Sequence, residues 1–188
     1  MQTLWVTEGL DYDGRQLRAH WLLDRFGLVG DALVGFRGAC KVSDEEMADL
    51  EDLGGLGIAA DDMVHFVWEC FSSSDLLLAT HRQRLLAAQT LETLRELSPA
   101  AYVRRDGDDL FVGDAKLSIS IATVTPVSAL IHFAVNARSS GAPVEVTSLD
   151  ELGVDPATFG ETLLARVVGE QASIEAARAK VRAKGEWR

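Results

Sequence analysis

Alternation of apolar and polar positions along the chain predicts a series of short strands. The alternation is clearest over residues 63–71, where Val64, Phe66 and Trp68 would share one face of a strand. Similar runs predict strands at residues 3–6, 31–36, 101–104, 109–112, 116–124 and 129–137. Gly113 and Asp114 separate two of these runs and are typical of a hairpin turn, because glycine accepts the positive φ that tight turns require.

Apolar spacing of three and four residues predicts helices between these strands. The longest covers residues 76–97, follows the capping sequence 72–75, and carries a one-sided stripe of leucine and alanine. A second long helix begins at Asp155, with Pro156 in the first helical position, and runs to about residue 183. Shorter helices are predicted at residues 16–26, at 147–153, and from the capping box 43–46 to Gly54.

Length and element order together predict one domain. The chain has 188 residues and no internal repeat or proline-rich linker, so strands and helices are expected to form a single α+β domain over residues 1–188. Residues from about 155 to 188 would form a C-terminal helical segment of that domain.

Charge and cysteine usage narrow the class of protein. The formal net charge is −11, so binding to duplex nucleic acid is not expected, because that requires clustered lysine and arginine. The two cysteines, Cys40 and Cys70, fit a reducing compartment, and the first residues lack a secretory signal pattern. The apolar run at residues 127–135 is too short to cross a bilayer. We therefore expect a cytoplasmic protein without a membrane partner.

Several charged residues cluster around turns. Lys116 lies at the mouth of the predicted hairpin beside Asp108 and Asp109. These charges are either a surface ion pair or the cation and carboxylates of a site for a phosphorylated or carboxylated ligand. Asp108 and Asp109 would suit Mg²⁺ held together with nucleotide phosphates, or are simply a solvated acidic turn. Arg37 and Lys41 flank a predicted glycine turn whose N–H groups suit an anion, or which is an ordinary surface turn with basic neighbours.

In order and spacing these motifs resemble the biotin and lipoate protein ligase superfamily, which includes the octanoyl transferases. Residues 105–109 stand where biotin ligases carry a lysine-tryptophan-proline-asparagine-aspartate turn, and residues 116–120 resemble their lysine strand. The strand ending His132-Phe133-Ala134-Val135-Asn136 is similar to the histidine and asparagine strand of the transferases, with the two residues one position closer. The resemblance covers about residues 30–180.

The resemblance implies both a fold and an activity. The fold would be a mixed, mostly antiparallel sheet with helices packed on it, as in class II aminoacyl-tRNA synthetases and biotin–lipoate ligases. The activity would be that of an acyl-activating ligase or acyltransferase that uses a small carboxylic acid or acyl-adenylate, with ATP and Mg²⁺, and that modifies an acceptor protein. In this family the lysine equivalent to Lys116 lies near the scissile acyl or phosphate group.

The same resemblance places further residues at the ligand. Together with the basic residues of the glycine turn they form the candidate binding set: Arg37, Lys41, Asp109, His132 and Asn136. Arg37, Lys116 and Asn136 are expected to converge on one locally positive cleft. Strands 109–124 and 129–136 are expected to share one sheet. Asn136 alternatively satisfies local backbone groups, and His65 and His132 are alternatively buried core histidines.

The chain also departs from the family. The glycine-arginine-rich loop of biotin ligases is reduced to Arg37 and Lys41 around a glycine, and the tryptophan-proline-asparagine part of the acidic turn is missing. Bulkier residues replace the glycine expected near residues 118–120, and no cysteine follows Asn136 to act as the transferase nucleophile. Two alternatives therefore stay open: a binding module without catalysis, and a nucleotide-processing enzyme built on the same sheet.

Overall fold

A computed structural model describes residues 1–185 as an α+β fold with one main sheet and one small sheet. The strands are β1 (Gln2–Trp5), β2 (Ala32–Val42), β3 (Ile58–Cys70), β4 (Val103–Asp106), β5 (Asp109–Val112), β6 (Ala115–Lys116), β7 (Ser118–Val124) and β8 (Ala129–Asn136). The helices are α1 (Trp21–Phe26), α2 (Leu76–Leu97) and α3 (Pro156–Ala179). None of the helices within residues 1–185 is both long enough and apolar enough to cross a membrane.

The main sheet has the strand order β1-β2-β3-β8-β7. Only β1 and β2 pair in parallel, and the other three pairs are antiparallel. The predicted fold class, a mixed and mostly antiparallel sheet with helices packed on it, is confirmed.

Alternation along the strands gives the main sheet two apolar faces. One face, which includes Leu33, Phe66 and Phe133, is covered by α2 and α3. We call this the helix face. The other face includes Phe36 and Met63 and is only partly covered, by α1 and the segment 10–12. We call this the open face. The predicted division of β3 into Val64, Phe66 and Trp68 on one side and its intervening residues on the other is confirmed.

Both long helices begin where the sequence places their caps. The Asp75 carboxylate accepts a hydrogen bond from the Leu78 amide at 2.7 Å, and the Asp155 carboxylate accepts one from the Thr158 amide at 2.8 Å. Each bond satisfies an amide that lacks a partner in the first helical turn. The C-terminal helix α3 ends at Ala179, before the predicted end near residue 183.

The predicted helix from residue 43 to Gly54 does not form beyond a single 3₁₀ turn at Asp44–Glu46, and Ser43 makes no capping bond. Six acidic and no basic residues lie in the segment 43–57, so like charges repel along any helix formed there. The helix predicted at 16–26 is shortened to α1, because His20 adopts a left-handed φ of 66°. The helix predicted at 147–153 does not form, because residues 149–153 are turns and residues 147–148 have no regular structure.

The glycine turn predicted at Arg37–Lys41 lies inside β2, with a register shift between Gly38 and Cys40. Its backbone is occupied, because the Ala39 amide donates to the Asp11 carboxylate and the Lys41 amide donates to the Tyr12 carbonyl, both at 2.9 Å. The expectation of free N–H groups for an anion is therefore wrong at these positions.

The expectation that the hairpin and β8 lie in one sheet is wrong for the first half of the hairpin. β4, β5 and β6 form a separate three-stranded sheet, and only β7 pairs with β8 in the main sheet. The predicted strand 116–124 is interrupted at Leu117, whose amide donates to the Leu110 carbonyl at 2.8 Å. This interruption places Lys116 at the junction between the two sheets.

Candidate functional site

A cleft of about 480 Å³ opens on the open face at this junction. It is lined by the ends of β3, β7 and β8, by the turn before β5, and by the segments 49–60 and 142–146. Its volume is within the range of small-molecule sites, which is about 300–1,000 Å³. The cleft brings together Asp108, Asp109, Lys116 and Asn136 from the predicted set.

Lys116 is held by backbone bonds on both sides of its strand. It pairs with Phe111 of β5, its amide donates to the Glu145 carbonyl at 3.1 Å, and its carbonyl accepts from the Thr147 amide at 3.0 Å. Its Nζ lies 2.9 Å from Oδ2 of Asp109, and both side chains are about one third exposed. Burial raises the pKa of Asp109, and the hydrogen bond and charge of Lys116 oppose that shift. The pair therefore combines a rigid backbone with a charge that a ligand can reach.

Asn136 supports Lys116 and is buried beneath it. Its Nδ2 donates to the Lys116 carbonyl at 3.2 Å and to the Thr147 carbonyl at 3.0 Å. The alternative that Asn136 satisfies local backbone is thus what the structure shows. Because these bonds join β8 to the strand carrying Lys116, Asn136 positions the lysine even though it also lines the cleft.

Asp108 is fully engaged in bonds to its neighbours. One carboxylate oxygen lies 2.7 Å from Arg84, and the other accepts from Gln83 at 2.8 Å and from Ser120 at 2.7 Å. The carboxylate therefore joins α2 to β7 and to the acidic turn. Within residues 1–185 no three histidine, cysteine or acidic residues are grouped to hold a metal. Of the two proposed Mg²⁺ ligands, only Asp109 keeps an oxygen free of such bonds.

We expect Asp108→Ala to destabilise the protein by about 1–3 kcal/mol, because hydrogen bonds to a charged group are worth about that much. Urea unfolding would measure the loss. Asp106→Ala is the matched control, since the Asp106 side chain is 81% exposed and its change should stay within about 0.5 kcal/mol. Equal stability of the two variants would contradict the structural role of Asp108.

Arg37 does not join the cleft. Arg37 pairs in register with Val64 on the helix face, whereas Asn136 pairs with Met63 on the open face. The Arg37 guanidinium forms two hydrogen bonds with Asp62, at 2.8 and 2.6 Å. The expected convergence of Arg37 with Lys116 and Asn136 is wrong, because a shift of one position along a strand moves a side chain to the other face.

Lys41 also lies apart from the cleft. It is exposed on β2, where it pairs with Ala59.

The cleft is lined by Lys116 and by five carboxylates, those of Asp49, Glu51, Asp52, Asp108 and Asp109. The expectation of a locally positive cleft is therefore wrong, and a polyphosphate would meet net negative charge unless a cation accompanied it.

Two buried histidines lie side by side on the open face. His65 Nδ1 is 3.1 Å from His132 Nε2, and His65 Nε2 is 3.2 Å from the Gly38 carbonyl oxygen. The Tyr12 ring is stacked on His132, with ring centres 3.6 Å apart and an angle of 7°. Burial lowers the pKa of His65 to about 4 and that of His132 well below its usual value. Both rings are therefore neutral at neutral pH.

His132 lines a second, smaller cavity of about 50 Å³ together with Tyr12. This cavity lies next to the main cleft, with which it shares five lining residues: Asp49, Asp52, Ile58, Ile119 and Ser120. Tyr12 was not predicted from the sequence, because the segment around it shows neither the helical nor the strand periodicity of apolar residues. Ser120 also lines both cavities, but it pairs with Phe133 on the helix face, and its hydroxyl is bonded to Gln83 and Asp108.

The buried cysteines line neither of these two cavities. Cys40 and Cys70 are both buried free thiols, and burial raises the pKa of each to about 12. Cys40 is therefore a small buried residue and not a reactive thiol.

The fold is that of the biotin and lipoate protein ligases. Biotin protein ligase from Aquifex aeolicus, in complex with biotin and ATP, aligns with a TM-score of 0.58 at 10% identity, over 93% of this chain and 72% of that one. LipL1 of P. falciparum, in complex with lipoate, aligns with a TM-score of 0.58 at 12% identity, over 93% and 61%. At such identities the similarity concerns the fold.

The chain belongs to the family described as domain of unknown function DUF366, whose model matches residues 1–182. It is 36% identical over 160 residues to the uncharacterized protein MJ0805 of Methanocaldococcus jannaschii, which covers 82% of this chain and 72% of that protein. It also aligns with a protein of unknown function from Pyrococcus horikoshi at a TM-score of 0.92 and 43% identity, over 97% of this chain and 99% of that one.

Proposed function

We propose that this protein activates or transfers the acyl group of a small carboxylic acid at the Lys116 cleft. The observation that carries the proposal is the Lys116–Asp109 pair, reachable at the mouth of a ligand-sized cleft in a fold shared with biotin and lipoate ligases. Proteins of this fold that are solved with biotin and ATP, or with lipoate, support a carboxylic acid as ligand.

In this proposal Lys116 stabilises the negative charge that develops on the acyl or phosphoryl oxygen as the bond to the leaving group breaks. Asp109 neutralises the lysine when no ligand is bound, and an anionic ligand would compete with it for the ammonium group. Asn136 keeps the lysine strand in place through its two backbone bonds.

ATP, if it is the second substrate, is proposed to enter as a magnesium complex. The five carboxylates around the cleft disfavour a free polyphosphate, and Mg²⁺ is commonly bound by one or two carboxylates together with substrate phosphates. Asp109 fits this limited role, and Asp108 does not, because both of its oxygens are occupied. We also propose that an acceptor, such as an acceptor protein, receives the acyl group. The proposed location of the protein is the cytoplasm.

Trapping with hydroxylamine tests this proposal, because hydroxylamine captures any activated acyl group as a hydroxamate. The protein would be incubated with octanoate, lipoate or biotin plus ATP and Mg²⁺, and separately with octanoyl-CoA. Because octanoyl-CoA reacts with hydroxylamine by itself, each reaction is compared with one that lacks the protein. We expect hydroxamate above that control in at least one reaction, and pyrophosphate release in parallel if an adenylate forms. Ligand-induced melting shifts without hydroxamate would favour the binding-module alternative. The absence of both hydroxamate and a melting shift would overturn the proposal.

A further inference from the structure

We propose that His132 presents an unprotonated Nδ1 to the bound ligand, and that His65 is the positioning residue that fixes this tautomer. The ligand group in the small cavity would then carry a hydroxyl or amide N–H donor. This inference deepens the proposed function and rests on it for the identity of the ligand as a carboxylic acid. It concerns the end of the acyl group that lies away from Lys116.

The hydrogen-bond partners determine the tautomers of both rings. The Gly38 carbonyl oxygen only accepts, so His65 Nε2 carries the proton of that bond. In a neutral ring His65 Nδ1 is then an acceptor, and His132 Nε2 must donate to it. His132 Nδ1 is left with a free lone pair. No hydrogen bond to His132 Nδ1 is formed by a side chain or backbone group within residues 1–185.

Packing keeps both rings in this arrangement. Tyr12 is stacked on His132, and Phe36 is stacked on His65 with ring centres 5.1 Å apart. Both histidines are at least 97% buried, and burial lowers the pKa of each, so the imidazolium form is disfavoured at neutral pH. Nδ1 of His132 has no partner within the described residues and is not fully buried, so a donor from the ligand can reach it from the small cavity.

The walls of the small cavity define the rest of the ligand group. Beside His132 the cavity is lined by apolar residues, among them Ile58, Ile119 and Ile121, and by the acidic residues Glu46, Asp49 and Asp52. A volume of about 50 Å³ admits only a few atoms beyond the main cleft. A lone pair disfavours a carboxylate at this end. The geometry points to an acid with an apolar chain and one small hydrogen-bond donor, and no second carboxylate, at its far end.

Nitrogen NMR of histidine tests the tautomers without any need for activity. The full-length protein would be labelled with ¹⁵N-histidine and recorded at pH 7, with resonances assigned through His20→Gln and His81→Gln. We expect both His65 and His132 to be neutral, with the proton on Nε2. A proton on Nδ1 of His132, or an imidazolium at either position, would overturn the inference and leave the proposed acyl chemistry untouched.

Ligand preference tests the donor. Unbranched acids from butanoate to decanoate would be compared by calorimetry with the ω-hydroxy acids of equal length. We expect one hydroxy acid to bind about 5- to 10-fold more tightly than its parent, as one added hydrogen bond allows. His132→Phe should abolish this preference, and His81→Phe, an exposed and matched change on α2, should preserve it. Equal binding of every pair to the wild type would overturn the inference.

A conservative change separates positioning from mere packing. His65→Asn keeps an acceptor oxygen near the place of Nδ1, so His132 should stay protonated on Nε2 and keep most of the preference for the hydroxy acid. His65→Phe lacks that acceptor and should shift His132 toward the other tautomer, with loss of the preference. The same His132 tautomer and preference in both variants would show that His65 only fills space.

Discussion

Replacement of Lys116 by alanine is expected to lower the rate of hydroxamate formation by about 10²–10³-fold, which is the usual cost of removing a group that stabilises a developing oxyanion. The melting temperature should change little. The Lys116–Asp109 pair is about one third exposed, and pairs of this kind contribute roughly 0–1 kcal/mol. Loss of activity without loss of stability would thus assign the lysine to the chemistry.

Two matched variants sharpen the interpretation of Lys116→Ala. Lys184→Ala removes the same charge from an exposed position near the C-terminus and should leave the rate unchanged. Lys116→Arg keeps the charge and should retain part of the activity if the role is electrostatic. An unchanged rate in Lys116→Ala would make the lysine an ordinary ion-pair partner. Unfolding of that variant would show that its role is structural.

The histidine pair should make the protein lose stability as the pH falls below neutral. In the unfolded chain His65 takes up a proton near pH 6.5, whereas in the folded protein burial lowers its pKa to about 4. Between these values the unfolded state binds more protons, so the free energy of unfolding decreases with falling pH. The full shift corresponds to about 3 kcal/mol, of which roughly 2 kcal/mol should be lost between pH 7 and pH 5. His132, whose pKa is also lowered, acts in the same direction.

Urea unfolding at pH 7 and pH 5 would measure this loss. The groups that face the pair are Tyr12, Phe36 and the Gly38 carbonyl, with Asp11 and Asp62 as the nearby charges that oppose the shift of His65. His65→Asn removes one titrating ring and should reduce the pH dependence. His81→Asn, at an exposed position, should not. The same pH dependence in the wild type and in His65→Asn would show that other groups control acid stability.

Asp109, whose pKa is raised, acts in the opposite sense at lower pH. As the pH falls, the folded state takes up a proton at Asp109 before the unfolded state does, which favours folding.

Local patterns were sufficient for most of the elements. The period of two on β3 and β8 and the one-sided stripe of α2 reflect which side chains are buried, and burial is what holds those elements in place. The caps Asp75 and Asp155 are local hydrogen bonds within four residues, so they are visible in the sequence. The predicted helix after Ser43, which has no buried face, did not form, and neither did the helix predicted at 147–153, although Leu149 is buried there.

The family resemblance predicted the fold correctly, although the expected convergence of Arg37 with Lys116 and Asn136 and the expected single sheet were both wrong. The hairpin at residues 109–124 proved to be divided between two sheets, yet the chain still aligns with biotin and lipoate ligases. The order of motifs was therefore a better guide to the fold than the sheet membership of a single hairpin. The boundary between two sheets depends on where a strand is interrupted. Here the interruption is at Leu117, whose amide donates to the Leu110 carbonyl of β5.

The sequence by itself determined most of the strands and the two long helices, the acidic balance, and the position of Lys116 beside an acidic turn. Only the tertiary structure decided which of the candidate residues meet. Arg37 was separated from Lys116 because it lies on the opposite face of the sheet, while Tyr12, His65 and His132 were assembled from three separate segments. Periodicity fixes a side chain relative to its own strand, but contacts between distant segments depend on register and on strand order, which no local pattern encodes.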